Sequence, residues 1–167
     1  AALKNEIDSG SIGAVRFIDS CFITSDYDVS NIRMRRETFG GSVYDLGCYC
    51  TSQILWLLDE EPETVQAVAQ FSDRNIDILA TGILSFSGGK KAVFQSGMLL
   101  ATDKDERIDR LLIHGAEGSI YTGARFNQCG DLTYTLTRGG ESILKTVSAR
   151  QNYALALQDM MNGGSVF

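Results

Sequence analysis

Histidine, proline and tryptophan each occur once in the 167 residues, and that scarcity removes several readings at the outset. With His114 as the lone imidazole, a closed metal site would have to be built almost entirely from thiolates. Cysteine is scarcely better supplied, with Cys21, Cys48, Cys50 and Cys129 in all, and the Cys48-x-Cys50 spacing is not that of zinc sites. A domain of this size with an ordinary apolar share does not need disulfides to fold. The thiols are therefore expected to be reduced and buried, no metal is expected, and the compartment is expected to be cytoplasmic. Positive charge is also in deficit: 15 Lys and Arg against 21 Asp and Glu leave a net charge of −6. Phosphate neutralisation needs a basic face, so no nucleic-acid partner is expected. No run approaches the ~18 consecutive apolar residues of a membrane span. Nor does the N-terminus carry a charged stretch followed by an apolar signal core, so no membrane partner is expected.

What remains is an ordinary globular composition, 44% apolar and 22% charged. A chain of this length typically buries roughly 70% of its unfolded surface, enough for one domain over residues 1–167. Ala1-Ala2-Leu3-Lys4 already lies inside a helical pattern, and the chain stops just after Gly163-Gly164. A piece of a longer, two-domain chain is expected.

Leu3 and Ile7 stand one helical turn apart before Gly10, a plausible helix stop. Val15, Phe17, Cys21 and Ile23 then follow the period of a strand. From Ser25 to Phe39 runs a polar stretch holding Arg33, Arg35 and Arg36, longer than the usual connection and therefore a candidate functional loop. Val43, Leu46, Cys50, Ile54 and Leu57 form one apolar stripe at helical spacing, so a helix is expected from about Ser42 to Asp59. Pro62 cannot continue it. Strand patterns follow at Val65–Phe71, Ile78–Phe86, Ala92–Leu100, Asp109–His114, Ser119–Thr122, Leu132–Thr137 and Ser142–Val147, the first two joined by a polar turn and several of the others by glycine turns, before a last helix over Asn152–Asn162. Hairpin-linked strands behind one strong helix predict an α+β fold, a large, mostly antiparallel open sheet with helices on one face. The threonines around Tyr134 leave one sheet face polar enough for solvent or a second subunit.

Gly40-Gly41-Ser42-Val43-Tyr44-Asp45-Leu46-Gly47-Cys48-Tyr49 is the most informative stretch. The glycine pair reads as a flexible opening to the helix. Asp45 and Tyr49 follow at i and i+4, so a carboxylate and a phenol share one helical face near its positive end. Spacing alone reads more simply as a helix-starting aspartate and a half-buried core tyrosine.

Together with Leu3-x-x-x-Ile7-Asp8-Ser9-Gly10-x-Ile12-Gly13, Trp56-Leu57-Leu58, Pro62-x-x-Val65-x-Ala67 and Ile113-His114-Gly115-x-x-Gly118-Ser119-Ile120, that stretch resembles a known domain. This is the C-terminal domain of the glucose–fructose oxidoreductase, inositol dehydrogenase and rhizopine-catabolism (Gfo/Idh/MocA) family. The resemblance implies hydride transfer between NAD or NADP and a sugar, polyol or related alcohol. The dinucleotide would sit in an N-terminal Rossmann domain. It further implies that Asp45 and Tyr49 occupy the family's paired substrate-side positions, and that Tyr49 places the chain in the tyrosine-bearing branch. The family's lysine-bearing Glu-Lys-Pro segment is absent, and no Gly-x-Gly-x-x-Gly follows a strand. The isolated chain is therefore expected to bind no dinucleotide and to be inactive. Family members commonly dimerise through the open sheet face, and a homodimer is expected here.

Tyr49 would exchange a proton with the substrate hydroxyl and Asp45 would orient that hydroxyl. Arg33, Arg35 and Arg36 are candidate substrate-binding residues, since guanidinium suits planar oxyanions, although they could equally be solvated or pair with Asp28 and Glu37. His114, Cys48 and Cys50 are most simply structural, and Tyr44, Trp56 and Tyr134 belong to core or interface. The competing reading is a non-catalytic α+β binding or scaffold module of the same fold. Hydrolysis by two carboxylates is disfavoured, because no second acid is spaced beside Asp45.

Overall fold

The computed structural model describes residues 1–25, 27–100 and 106–162; the Gly163–Phe167 end lies outside them. The alternating segments form β1 (Val15–Ser25), β2 (Thr64–Phe71), β3 (Asp77–Ser85), β4 (Lys91–Leu100), β5 (Arg107–Gly115), β6 (Gly118–Thr122), β7 (Gly130–Arg138) and β8 (Glu141–Ala149). They build one eight-stranded sheet in the order β2-β3-β4-β1-β5-β6-β7-β8. The β1–β4 pair is parallel and every other pair is antiparallel. Glycine turns join β3 to β4, β5 to β6 and β7 to β8, and a polar turn with Asn75 at positive φ joins β2 to β3. The central place of β1 comes from its long crossover, which carries a helix and returns through a three-stranded meander.

That crossover helix is α2 (Cys48–Leu58), preceded by a π-helical turn over Val43–Gly47. It ends where Asp59 adopts the left-handed conformation and returns its N–H to Leu55 O, three residues ahead of Pro62. Two shorter helices, α1 (Ala2–Asp8) and α3 (Asn152–Met161), bracket the chain. Of the predicted stripe Leu46, Cys50, Ile54 and Leu57 are buried against Ile18, Phe22, Ala92 and Phe94 of the central strands, whereas Val43, in the π-helical turn, stays exposed. Each fully buried aliphatic side chain there contributes roughly 1.5–3 kcal/mol. Polar contacts fix the helix in register: Ser20 Oγ donates to Gln53 Oε1 at 3.1 Å, and the Cys50 thiol to Gln95 O at 3.7 Å.

The opening glycines are there for space rather than flexibility. A Cβ on Gly40 would lie 2.3 Å from Arg33 O and 2.7 Å from Arg35 O. Gly41 has φ +128°, and its Cβ would fall 2.0 Å from Asp77 Oδ1. Asp77, at the start of β3, caps the helix entry by accepting from the Val43 N–H at 2.8 Å and Ser42 Oγ at 2.9 Å.

The strand registers place Val68, Ile83, Ile108, Tyr121 and Leu144 on the face away from the helices, and all five are exposed. The cysteine expectation divides. Cys21 and Cys50 are buried, whereas Cys48 and Cys129 are exposed, and all four are free thiols. Cys48 misses burial because it lies off the apolar stripe of α2, and Cys129 lies in the loop before β7. Among the described residues no helix is long and apolar enough to cross a membrane.

Candidate active site

The arginine loop is folded rather than extended. Asn31 Oδ1 accepts the Arg33 N–H at 2.9 Å and starts a short 3-10 turn over Ile32–Met34; a second covers Arg36–Thr38. The loop closes when Gly40 and Gly41 donate their N–H groups to Arg35 O and Arg33 O, at 2.9 and 3.0 Å. This close return, which only glycine permits, carries the Arg33 side chain to Asp45, where Nε meets Oδ2 at 2.7 Å. The Tyr27 ring lies 5.2 Å below the guanidinium. The hydrogen bond to Asp45, foremost, raises the proton affinity of Arg33, with smaller influences from Tyr27 and Tyr49. Arg33 therefore meets neither Asp28 nor Glu37, as the sequence allowed. Arg35 and Arg36 are exposed on the loop and, among the described residues, form no ion pair.

Asp45 and Tyr49 are both half-buried and reachable. Among the described residues no hydrogen bond joins them, and Tyr49, unlike Asp45 and Arg33, lines the cleft over β5–β8. Asp45 turns to Arg33. Tyr49 leans on two rings, edge-on to Phe22 with centroids 5.8 Å apart and tilted against Phe126 at 5.7 Å. Among the described residues its hydroxyl has no hydrogen-bond partner. Tyr49 heads the row Tyr49, Ser52, Gln53 and Trp56, which walls a cleft of about 800 Å³ over the helix-side face of β5–β8. Trp56 is half exposed there and Tyr44 lies open to solvent, whereas Tyr134 is buried in the core.

Sequence reasoning missed a second layer beneath Tyr49. Asp109 Oδ2 and Oδ1 accept Arg107 Nε and Nη2 at 2.5 and 2.6 Å, and Oδ1 also accepts the Phe126 N–H at 2.8 Å. The Arg107 guanidinium lies 4.5 Å over the Phe22 ring, and Phe22 stacks on Phe126 at 4.9 Å. Opposite charges two apart in a strand share a face, and the Arg107-x-Asp109 spacing was the available signal.

His114 lies exposed at the end of β5, paired with Phe17 on the opposite sheet face, so it has no part here. Burial pushes the Cys50 thiol up to about 12 and the Cys48 thiol upward, the reverse of an activated cysteine. Among the described residues no three His, Cys, Asp or Glu side chains converge as metal ligands. The Gly115 and Gly118 turn is packed against backbone, 2.0 Å from Ile12 O and 2.3 Å from Thr137 O for an added Cβ, and it joins strand to strand.

Comparison with known proteins adds a family match, two curated relatives and two solved structures. Residues 1–121 match the family described as GFO/IDH/MocA C-terminal domain. Over 100 residues, 59% of this chain and 30% of the relative, the sequence is 30% identical to trans-1,2-dihydrobenzene-1,2-diol dehydrogenase of Xenopus laevis. It is 34% identical over 96 residues to a Rhizobium meliloti protein described as an uncharacterized oxidoreductase, covering 57% of this chain and 29% of that one. Among solved structures, a 3-ketoreductase of Actinomadura kijaniata in complex with NADP and TDP-benzene superposes with TM-score 0.87 at 19% identity, over 97% of this chain and 49% of that chain. The aldose-aldose oxidoreductase of Caulobacter crescentus complexed with glycerol gives 0.82 at 20% identity, over 98% and 50%. The chain thus spans about half the length of these structures and matches under a third of the curated relatives.

Proposed function

The chain belongs to the GFO/IDH/MocA family of oxidoreductases, and on that footing we propose that it is the substrate-receiving domain of an NAD(P)-dependent dehydrogenase or reductase. The substrate class is a sugar, polyol or cyclic diol, in line with the dihydrodiol and aldose activities named for relatives. The dinucleotide belongs to a part of the protein outside this chain and supplies or accepts the hydride. Residues of this chain bind the alcohol and move its proton.

The observation that carries this reading is Tyr49, on the wall of a cleft, its hydroxyl without a hydrogen-bond partner among the described residues. A nearby cation favours the ionised form of a phenol, the form that accepts a proton. Arg33 supplies the positive charge from this chain. Asp45, holding Arg33 through Oδ2, keeps lone pairs on Oδ1 to accept the substrate hydroxyl's hydrogen bond. Tyr49 then takes the proton from that hydroxyl oxygen in the oxidative direction and returns it in the reductive one. Arg35 and Arg36, facing outward, are left without a role at the reacting carbon.

Replacing Tyr49 by Phe in the complete protein should lower kcat by more than tenfold with little change in substrate affinity. Unchanged turnover would refute the role. We further propose that the open sheet face pairs with a second copy, since Val68, Ile83, Ile108, Tyr121 and Leu144 lie along it exposed. A monomer at all concentrations in sedimentation would exclude that.

A further inference from the structure

We propose that Asp109 is a positioning residue for Tyr49, acting through Phe126. This inference rests on the proton-transfer role assigned to Tyr49 above. Asp109 is the most enclosed carboxylate of any described ion pair, its side chain only 2% exposed. A buried carboxylate is retained only with full compensation. Here both oxygens are engaged by the Arg107 fork, and Oδ1 also takes the backbone N–H of Phe126.

That last bond is what reaches the site. Phe126 lies in the loop between β6 and β7, in the connection Gly123–Cys129, which has little regular structure to hold it. Thr122 Oγ1 and Gln128 Oε1 fix only its neighbours, by accepting the Ala124 and Arg125 N–H groups. The Asp109 anchor sets the Phe126 backbone, and the ring is then clamped on one side by Phe22, 18° from parallel. Arg107 completes the clamp by covering Phe22. Tyr49 has both rings as neighbours and, among the described residues, no hydrogen bond at its hydroxyl. Its ring direction is therefore fixed by Phe22 and Phe126. A proton donor must stand within hydrogen-bond reach of its target, and a small misplacement costs rate rather than binding. The carboxylate thus sets the aim of a phenol it does not touch.

The test is a double-mutant cycle in the complete protein, with kcat and its pH profile as readouts. Asp109→Asn puts an amide opposite Arg107. It should lower kcat about tenfold in the wild-type background and displace the pH limb assigned to the phenol, leaving substrate KM within about twofold. In a Tyr49→Phe background the same substitution should cost nothing further in kcat. If Asp109→Asn does not fold, Phe126→Ala takes its place in the cycle, with Phe126→Tyr expected to restore the ring contact and most of the rate. Equal losses in both backgrounds, or a lowered Tm with an unmoved kcat profile, would overturn the inference while leaving the role of Tyr49 intact. Full activity of Tyr49→Phe alone would instead overturn the underlying reading.

Discussion

Glu6 offers a quantitative check on how the first helix is held, and the pH at which the check is made decides its outcome. No residue of α1 is fully buried. Its attachment relies on partly buried Ala2, Leu3 and Ile7 and on Glu6. Oε1 accepts Lys145 Nζ and Tyr134 OH, each at 2.6 Å, and Oε2 accepts Ser11 Oγ at 2.6 Å. These bonds, Lys145 first, then Ser11 and Tyr134, hold the carboxyl down to about 2 from its ordinary 4.5. Burial, followed by the bond to Glu6, pushes the Tyr134 phenol up to about 12. Glu6→Ala leaves the buried Tyr134 hydroxyl without an acceptor, a cost of about 1–3 kcal/mol. The half-exposed Lys145 pair adds at most about 1 kcal/mol. A total near 2–3 kcal/mol corresponds to a fall in Tm of roughly 5–10 °C for a domain of this size. The sign with pH follows from the lowered value. Stability from the ionised group is complete above 4.5 and is lost as pH falls from 4.5 toward about 2. Thermal unfolding of wild type and Glu6→Gln should therefore show a gap that is constant at neutral pH and closes in that acidic window. Adding Tyr134→Phe to Glu6→Ala should recover part of the loss, since the orphaned hydroxyl is gone. A gap of the same size at pH 3 and pH 7, or none at neutral pH, would refute the reasoning.

Gly41→Ala should destabilise the protein by about 2 kcal/mol or more and weaken the Asp77 cap, because its Cβ would enter the carboxylate at a positive φ; urea titration that finds it neutral contradicts the close approach. Thiol titration under native conditions should modify Cys48 and Cys129, with Cys21 and Cys50 reacting only on unfolding. Four equally reactive thiols would contradict the packing of α2.

The strand positions were legible because alternation and glycine turns are local. So was α2, whose stripe at Leu46, Cys50, Ile54 and Leu57 is the face it buries. The order of strands was not, since nothing near β1 in the sequence says that it joins β4 in parallel and β5 antiparallel. The π turn at Val43–Gly47 was hidden for another reason: its residues fit an α-helical pattern as well. The partner of Asp45 came from twelve residues back, through a loop return set by Gly40 and Gly41. Family resemblance picked out Asp45 and Tyr49, but it carried no sign of Asp109 or Phe126, whose bond joins two strands' surroundings. The Glu6 contacts with Tyr134 and Lys145 span 128 and 139 positions and leave no local signature.

The central claim is that Tyr49 moves the substrate proton. Its most direct test is the single-turnover rate of nicotinamide reduction by the complete protein, compared between wild type and Tyr49→Phe across pH with a sugar or cyclic diol it oxidises. The account predicts a rate lowered more than tenfold and the loss of the rise in rate with pH that comes from deprotonating the hydroxyl. Equal rates with the same pH profile would contradict it.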